Sequence, residues 1–302
     1  MSLNRSSIFL LILTLISILS LFSLNLFFAL VVLVLIIVGM DISTDFIYDS
    51  TNNMLVGQPG LLYGITLFSF ITSLDEIMVA GASIAQGYNG ISIGAMMGSV
   101  MVTLVGFGIF SLMKRKKELS TVSALIFVVP SFMILFSVFF YENVNPIFII
   151  GLSIFTTIIS IILMFYFGFK STSGGRVDMN LVNYKSLLFL LLPAISLTIL
   201  SITMARLTDF VGSFIGINLT ISGFLIPGIF GSLPELFAIK SSLQNKDKSS
   251  AKGILIGSTL IKGGMILPLA SAFFQYNPSD SIGIFLSTLV SLIVFGIVVL
   301  YY

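Results

Sequence analysis

Two short segments of this chain read as one motif written twice, and each carries a carboxylate. Thr72-Ser73-Leu74-Asp75-Glu76 lies in one apolar stretch and Gly231-Ser232-Leu233-Pro234-Glu235 in another, so that Glu235 follows Glu76 by 159 residues. Carboxylates, hydroxyls and freed backbone carbonyls are the hard oxygen ligands that suit Na⁺ or Ca²⁺. Thr72 and Ser73 stand four and three residues before Glu76. A continuous helix would put all three on one face. In the second segment Pro234 has no N–H, so the carbonyl of Phe230 loses its helical partner, and Gly228 and Gly231 loosen the same turn. The half-broken helix expected there would offer carbonyl oxygens beside Glu235 and the Ser232 hydroxyl. The plainer alternative is a pair of buried glutamic acids, held neutral and satisfied by hydrogen bonds.

The elements that must position these groups are membrane helices. Of 302 residues, 57% are hydrophobic and only 9% are charged. Apolar runs of about 20 residues recur, each long enough to cross a bilayer as a helix. No period-2 alternation marks a barrel. There is no Cys and no His, which excludes disulfides, thiol chemistry and zinc sites of the usual kind. The N-terminal apolar run after Arg5 lacks a small-residue cleavage site and is read as a retained helix. As one helix, residues 7–38 would reach about 48 Å, too long for the core of a bilayer, so a break is expected near Ser20–Asn25. The expected spans are 6–21, 25–50, 60–83, 90–113, 119–140, 147–169, 184–213, 219–243, 252–275 and 281–301.

Charge fixes the orientation. Arg5, Lys114-Arg115-Lys116-Lys117, Lys170, Arg176, Lys185, Lys240, Lys246, Lys248 and Lys252 fall on one side of these spans. They make twelve of the 14 basic residues, and the opposite loops hold Glu142 and Asp280 instead. The positive-inside rule then places both termini in the cytoplasm. Arg206 and Lys262 are the exceptions. Arg206 has Asp209 three residues on and is expected to pair with it. Lys262 lies mid-span, too deep to reach the interface, and needs a partner or a wet cavity. Asp41, Asp45 and Asp49 form an acidic stripe, either a cation vestibule or a solvated helix end.

The repeat extends beyond the carboxylates. Gly90-Ile91-Ser92-Ile93-Gly94 follows Glu76, and Gly253-Ile254-Leu255-Ile256-Gly257 follows Glu235. These glycines would let helices approach closely. By the spans above, the helix with Glu76 runs outward and the helix with Glu235 inward, so the repeats are inverted.

These residues resemble the calcium/cation antiporter superfamily, which includes sodium/calcium exchangers. Its two inverted repeats each carry G-[ST]-S-x-P-E on one helix and G-N-x-x-G-S-N-x-x-[ND] on the next. Residues 231–235 fit the first signature with Phe230 in the leading Gly position; residues 72–76 fit it with Ile71 for Gly and Asp75 for Pro. Gly39 and Asp41 look like part of the family's first helix. In the second signature Gly94, Gly98 and Ser99 match, but Ala95 and Thr103 replace its outer polar residues. In the other repeat Ser258, Ile261, Lys262 and Ile266 depart from it. The resemblance implies an all-α polytopic protein of about ten helices. Its parts are an extra N-terminal helix (1–24), a first repeat (25–170), a cytoplasmic linker (171–183) and a second repeat (184–302) that lacks the family's last helix. The implied ion ligands are Glu76, Glu235, Thr72, Ser73, Ser99, Thr103, Ser232 and Asp75. Lys262 stands where the family has a hydroxyl ligand for sodium, as a tethered cation facing Glu235 or as the neutraliser of a decayed site.

The expected function is antiport of Ca²⁺ or another cation against Na⁺ or H⁺, without a cofactor, in the plasma membrane of a prokaryote. The partners are the lipid bilayer and inorganic cations, not nucleic acid. A non-transporting scaffold or sensor is the alternative. An intramembrane enzyme is disfavoured, since there is no His and no Gly-Asp pair of the aspartyl kind.

Overall fold

The structure, a computed structural model, describes residues 5–21, 25–54, 69–114, 146–170, 184–233, 236 and 257–272, together with Gly283, Leu286, Leu289 and Ile293. Among the described residues there is helix and no strand. The elements are α1 (Arg5–Ser20), α2 (Leu26–Met54), α3 (Ser69–Thr72), α4 (Leu74–Ala85), α5 (Asn89–Lys114), α6 (Pro146–Lys170), α7 (Tyr184–Ile215), α8 (Leu219–Gly223) and α9 (Leu267–Ala272). Two π-helical segments, Phe224–Phe230 and Lys262–Ile266, continue α8 and precede α9. The span expected at 119–140 and most of 281–301 lie outside the described residues.

The first long apolar run divides as its length demands. α1 stops at Ser20, and Asn25 starts α2 by accepting the Phe27 N–H on its side-chain oxygen at 3.0 Å. That bond satisfies a donor with no partner inside the helix. α2 and α7 form the centre of the bundle. Ala29, Val32, Leu33, Ile36 and Met40 pack against Leu197, Leu200, Met204, Leu207 and Val211, with Leu10 of α1 closing one side. Both α2 and α7 contain apolar stretches long enough to cross a membrane, Leu26–Ile47 and Leu191–Ile215.

The polarity of the bundle is reversed relative to a water-soluble one. α6 turns Ser153, Thr156 and Ser160 inward and leaves Ile154, Phe155, Ile158 and Ile162 exposed. α1 and α2 likewise expose Phe9, Ile12, Leu15, Phe27 and Val34. Lipid is as apolar as these side chains and tolerates them, whereas small hydroxyl residues suit close helix contacts inside.

Two departures from the expected helices matter for the site. The span expected to run unbroken over 60–83 is interrupted at Ser73, between α3 and α4. A helix opening not expected from the sequence stands at Pro227, inside the first π-helical segment; the one expected at Pro234 falls on a residue outside the described ones. Pro227 lacks the N–H that would bond four residues back, so the ladder there shifts to five-residue spacing. The Gly231 N–H accordingly reaches the Ile226 carbonyl at 3.2 Å.

Candidate cation site

The break at Ser73 is what aims Glu76. Ser73 adopts φ −104° and ψ 4° and donates its N–H to the Phe70 carbonyl at 3.3 Å, a tight turn that restarts the helix. Asp75 and Glu76 therefore occupy the first turn of α4. Unpaired N–H groups and the helix dipole favour negative charge there.

Close packing brings the donors to this carboxylate. α5 crosses α8 and the π-helical segment after it almost backbone to backbone. A Cβ at Gly228 would lie 2.9 Å from the Gly98 Cα, and a Cβ at Gly94 would collide with the Thr220 carbonyl. The crossing brings Ser99 of α5 and Ser232, just past the π-helical turn, to the same oxygen of Glu76. Lys262 enters from the second π-helical segment, where the Leu267 N–H bonds the Lys262 carbonyl five residues back. Gly263 and Gly264 weaken the α-helical alternative in that turn.

All three donors meet Glu76 Oε1. Lys262 Nζ lies 2.7 Å away, Ser99 Oγ 3.2 Å and Ser232 Oγ 3.3 Å. The side chains of Lys262 and Glu76 are 0% and 4% exposed, so this is a dry ion pair. Ser232 has one hydroxyl proton and a closer acceptor, the Gly228 carbonyl at 2.7 Å, which is the stronger of its two contacts. Ser99 and Ser232 flank Lys262 from opposite halves of the chain, 23 and 156 residues from Glu76.

The other expected ligands are distributed as follows. Ser73 Oγ faces Ser258 Oγ at 3.4 Å, a second contact between the halves. Thr103 donates to the Ser99 carbonyl at 3.0 Å and so braces the Ser99 turn. Thr72 ends α3, and its side chain lies outside the described residues. Glu235 also lies outside them. Lys262, expected to face Glu235, is paired with Glu76. Asp75, adjacent to Glu76 in the chain, lines the same small cavity as Glu76 together with Ile37, Met40, Val79, Ala95, Met204, Pro227 and Gly231. Two neighbouring residues at the start of a helix can flank one cavity even though they diverge around the axis. The space available to the centre of a water-sized sphere is ≈ 10 Å³, room for about one water or ion.

Sequence reasoning missed two contributors. Pro227 is visible in the sequence only as a proline inside an apolar run. Ser258 stood out only as a lost asparagine, and nothing in the sequence assigned it to Ser73. Asp209 accepts hydrogen bonds from the Tyr88 and Ser213 hydroxyls, and among the described residues no ion pair joins it to the exposed Arg206. The hydroxyls lie closer to hand than a long, solvated guanidinium.

The sequence comparison agrees with a membrane bundle built around a dry carboxylate. The chain matches the family described as sodium/calcium exchanger protein over residues 28–192 and again over 185–302. The chain belongs to that family. No curated protein matches it. Among solved structures it is similar to native YfkE, with 16% identity, 98% of each chain covered and a TM-score of 0.60. It is also similar to the H⁺/Ca²⁺ exchanger CAX, with 14% identity, 98% of this chain and 83% of that one covered, and a TM-score of 0.61. The sodium-calcium exchanger NCX_Mj follows at 18% identity, 90% of each chain and a TM-score of 0.51. At these identities the likeness is one of fold.

Proposed function

We propose that this chain is a secondary cation antiporter that moves Ca²⁺ or another cation against Na⁺ or H⁺ by alternating access. About ten helices form two inverted repeats in the plasma membrane of a prokaryote, with both termini cytoplasmic. The double match to one family supports the duplication, and the basic loops support the orientation. Glu76 and Glu235 are the principal ligands, and Ser73, Ser99, Ser232 and Asp75 assist.

The observation that carries this reading is the meeting of Ser99 and Lys262, one from each half of the chain, on one buried carboxylate oxygen. A carboxylate at membrane depth is costly and marks a functional centre. Sited between two crossing pairs of helices, it would be opened to either face by rocking one pair against the other. Lys262 acts as a tethered cation on Glu76, standing in for one transported charge. A non-transporting relative is the competing reading, since the same ammonium would also neutralise an abandoned site.

Cation flux into proteoliposomes decides between them. The wild type should exchange cations under an imposed Na⁺ or H⁺ gradient, and Glu76→Gln and Glu235→Gln should each abolish the exchange. Lys262→Ser should change the ion selectivity or the sodium dependence. Absence of any flux from folded wild-type protein sinks the antiporter reading.

A further inference from the structure

Two side chains of the α4–α5 turn reach across to α7. Gln86 Nε2 donates to the Ala82 carbonyl of its own helix at 3.1 Å and to the Ile202 carbonyl of α7 at 3.2 Å, which occupies both of its protons. The Tyr88 hydroxyl donates to Asp209, seven residues further along α7. The turn that carries them is stiff. Gly87 takes φ 80°, its N–H bonds the Ile84 carbonyl at 3.0 Å, the Tyr88 N–H bonds the Ser83 carbonyl at 2.8 Å, and α5 starts at Asn89. A pull on either side chain therefore passes to both helices of the hairpin.

The same two elements wall the cavity at Glu76. α4 contributes Asp75, Glu76 and Val79, and α7 contributes Met204. Gln86 stands ten residues beyond Glu76, about 15 Å along the helix. The contacts thus bridge α4 and α7 on the turn side of the cavity. Their energy balance suits a contact that opens. Gln86 Oε1 is buried and meets no donor among the described residues. Turning the amide round would set that oxygen against two carbonyl oxygens, so the two acceptors fix its orientation. The Ile202 carbonyl lies inside α7, where the helical ladder supplies another donor. Separation strands no group there, and it lets water reach Gln86 Oε1, which offsets part of the lost bond.

We propose that Gln86 and Tyr88 form a latch that holds α7 against the α4–α5 hairpin and shuts the turn-side mouth of the Glu76 cavity, and that an ion enters from that side only when the latch releases. The proposal rests on the alternating-access reading, to which it adds the side chains that hold one mouth closed. In the orientation set by the basic loops, this mouth is the outer one.

The chain has no cysteine, so a single introduced thiol reports on the cavity. Val79→Cys, nearly unchanged in shape, places it one turn from Glu76. A membrane-impermeant cationic thiol reagent is applied to membranes holding the full-length chain, from each side in turn. Tyr88→Phe and Gln86→Met keep the bulk of each side chain. Each should raise the labelling rate from the turn side by roughly two- to tenfold, the worth of one ordinary hydrogen bond, and the pair by more than either alone. Ala270→Cys, buried on α9 and not among the cavity-lining residues, controls for general loosening. A short bifunctional thiol reagent joining Tyr88→Cys to Asp209→Cys should abolish flux. Unchanged labelling in both latch variants, a rise from the opposite side alone, an equal rise at Ala270→Cys, or flux that survives complete crosslinking overturns the latch. Wild-type flux judges the antiporter reading separately. Flux with unchanged labelling removes the latch and spares that reading, and the expected labelling without flux does the reverse.

Discussion

Glu76 and Asp209 are both carboxylates set in long apolar stretches, yet different groups satisfy them. Glu76, 4% exposed, takes a buried ammonium at 2.7 Å and a hydroxyl at 3.2 Å. Asp209, half-buried on α7 beside the α4–α5 turn, takes the hydroxyls of Tyr88 and Ser213, and among the described residues no ion pair joins it to the exposed Arg206. Depth accounts for the difference. In a dry interior only an opposite charge offsets the desolvation of a carboxylate, whereas near a helix end two neutral donors and partial hydration suffice.

The largest test removes the counter-charge. Lys262→Met should destabilise the protein by about 3–5 kcal/mol, since it strands Glu76 without its partner. The Glu76→Gln/Lys262→Met double variant should regain most of that loss, because residue 76 then needs no counter-charge. Asp209→Asn should cost less than about 1 kcal/mol, as expected for a partly hydrated group. Thermal unfolding in detergent measures all three. Equal costs for Lys262→Met and Asp209→Asn would erase the distinction drawn between the two sites.

The hydroxyl partners sharpen it. Ser99→Ala removes a buried hydrogen bond to a charged acceptor and should cost about 1.5–3 kcal/mol. Ser213→Ala, at an exposed position, should stay within about 0.5 kcal/mol. The same contrast holds for backbone approach. A methyl group at Gly94 would press on the Thr220 carbonyl, while one at Gly81 meets nothing within 4 Å. Gly94→Ala should destabilise by about 1–3 kcal/mol through overpacking. Gly81→Ala should stabilise by roughly 0.5–1 kcal/mol, the ordinary gain of Ala over Gly in a helix.

How much of this was legible in the sequence also depends on depth. The helices of the first half were readable because length and apolarity alone specify a membrane span: α1, α2, α5 and α6 begin and end within a few residues of the expected limits, apart from the longer C-terminal end of α2. Glu76 and Lys262 were readable as residues that must have partners, because isolated charges do not persist at such depth. Which partner each takes was not readable. The ion pair joins residues 186 apart, and it depends on a break at Ser73 and a π-helical turn at Lys262 that no propensity announces. Proximity in sequence misled in one place: it tied Arg206 to Asp209 across one helical turn, whereas a deciding contact comes from Tyr88 in the α4–α5 turn.

The smallest effect lies at the rim and concerns pH. Tyr88, in the α4–α5 turn, has its phenol pushed above 10.0, first because partial burial disfavours the phenolate and then because the Asp209 charge opposes it. A raised folded-state value means that the folded protein holds this proton more tightly than the unfolded chain does. The stabilisation is therefore complete below about pH 10, the value of a free tyrosine, and is lost as the pH climbs through the higher folded-state value. Tyr88→Phe has no such proton. Its thermal midpoint relative to wild type should be constant from about pH 7 to about pH 9 and should rise above that range as the wild type alone loses its Asp209 hydrogen bond. A difference that stays flat to the alkaline limit would show that Asp209 does not depend on Tyr88, and would leave Ser213 as the hydroxyl that satisfies it.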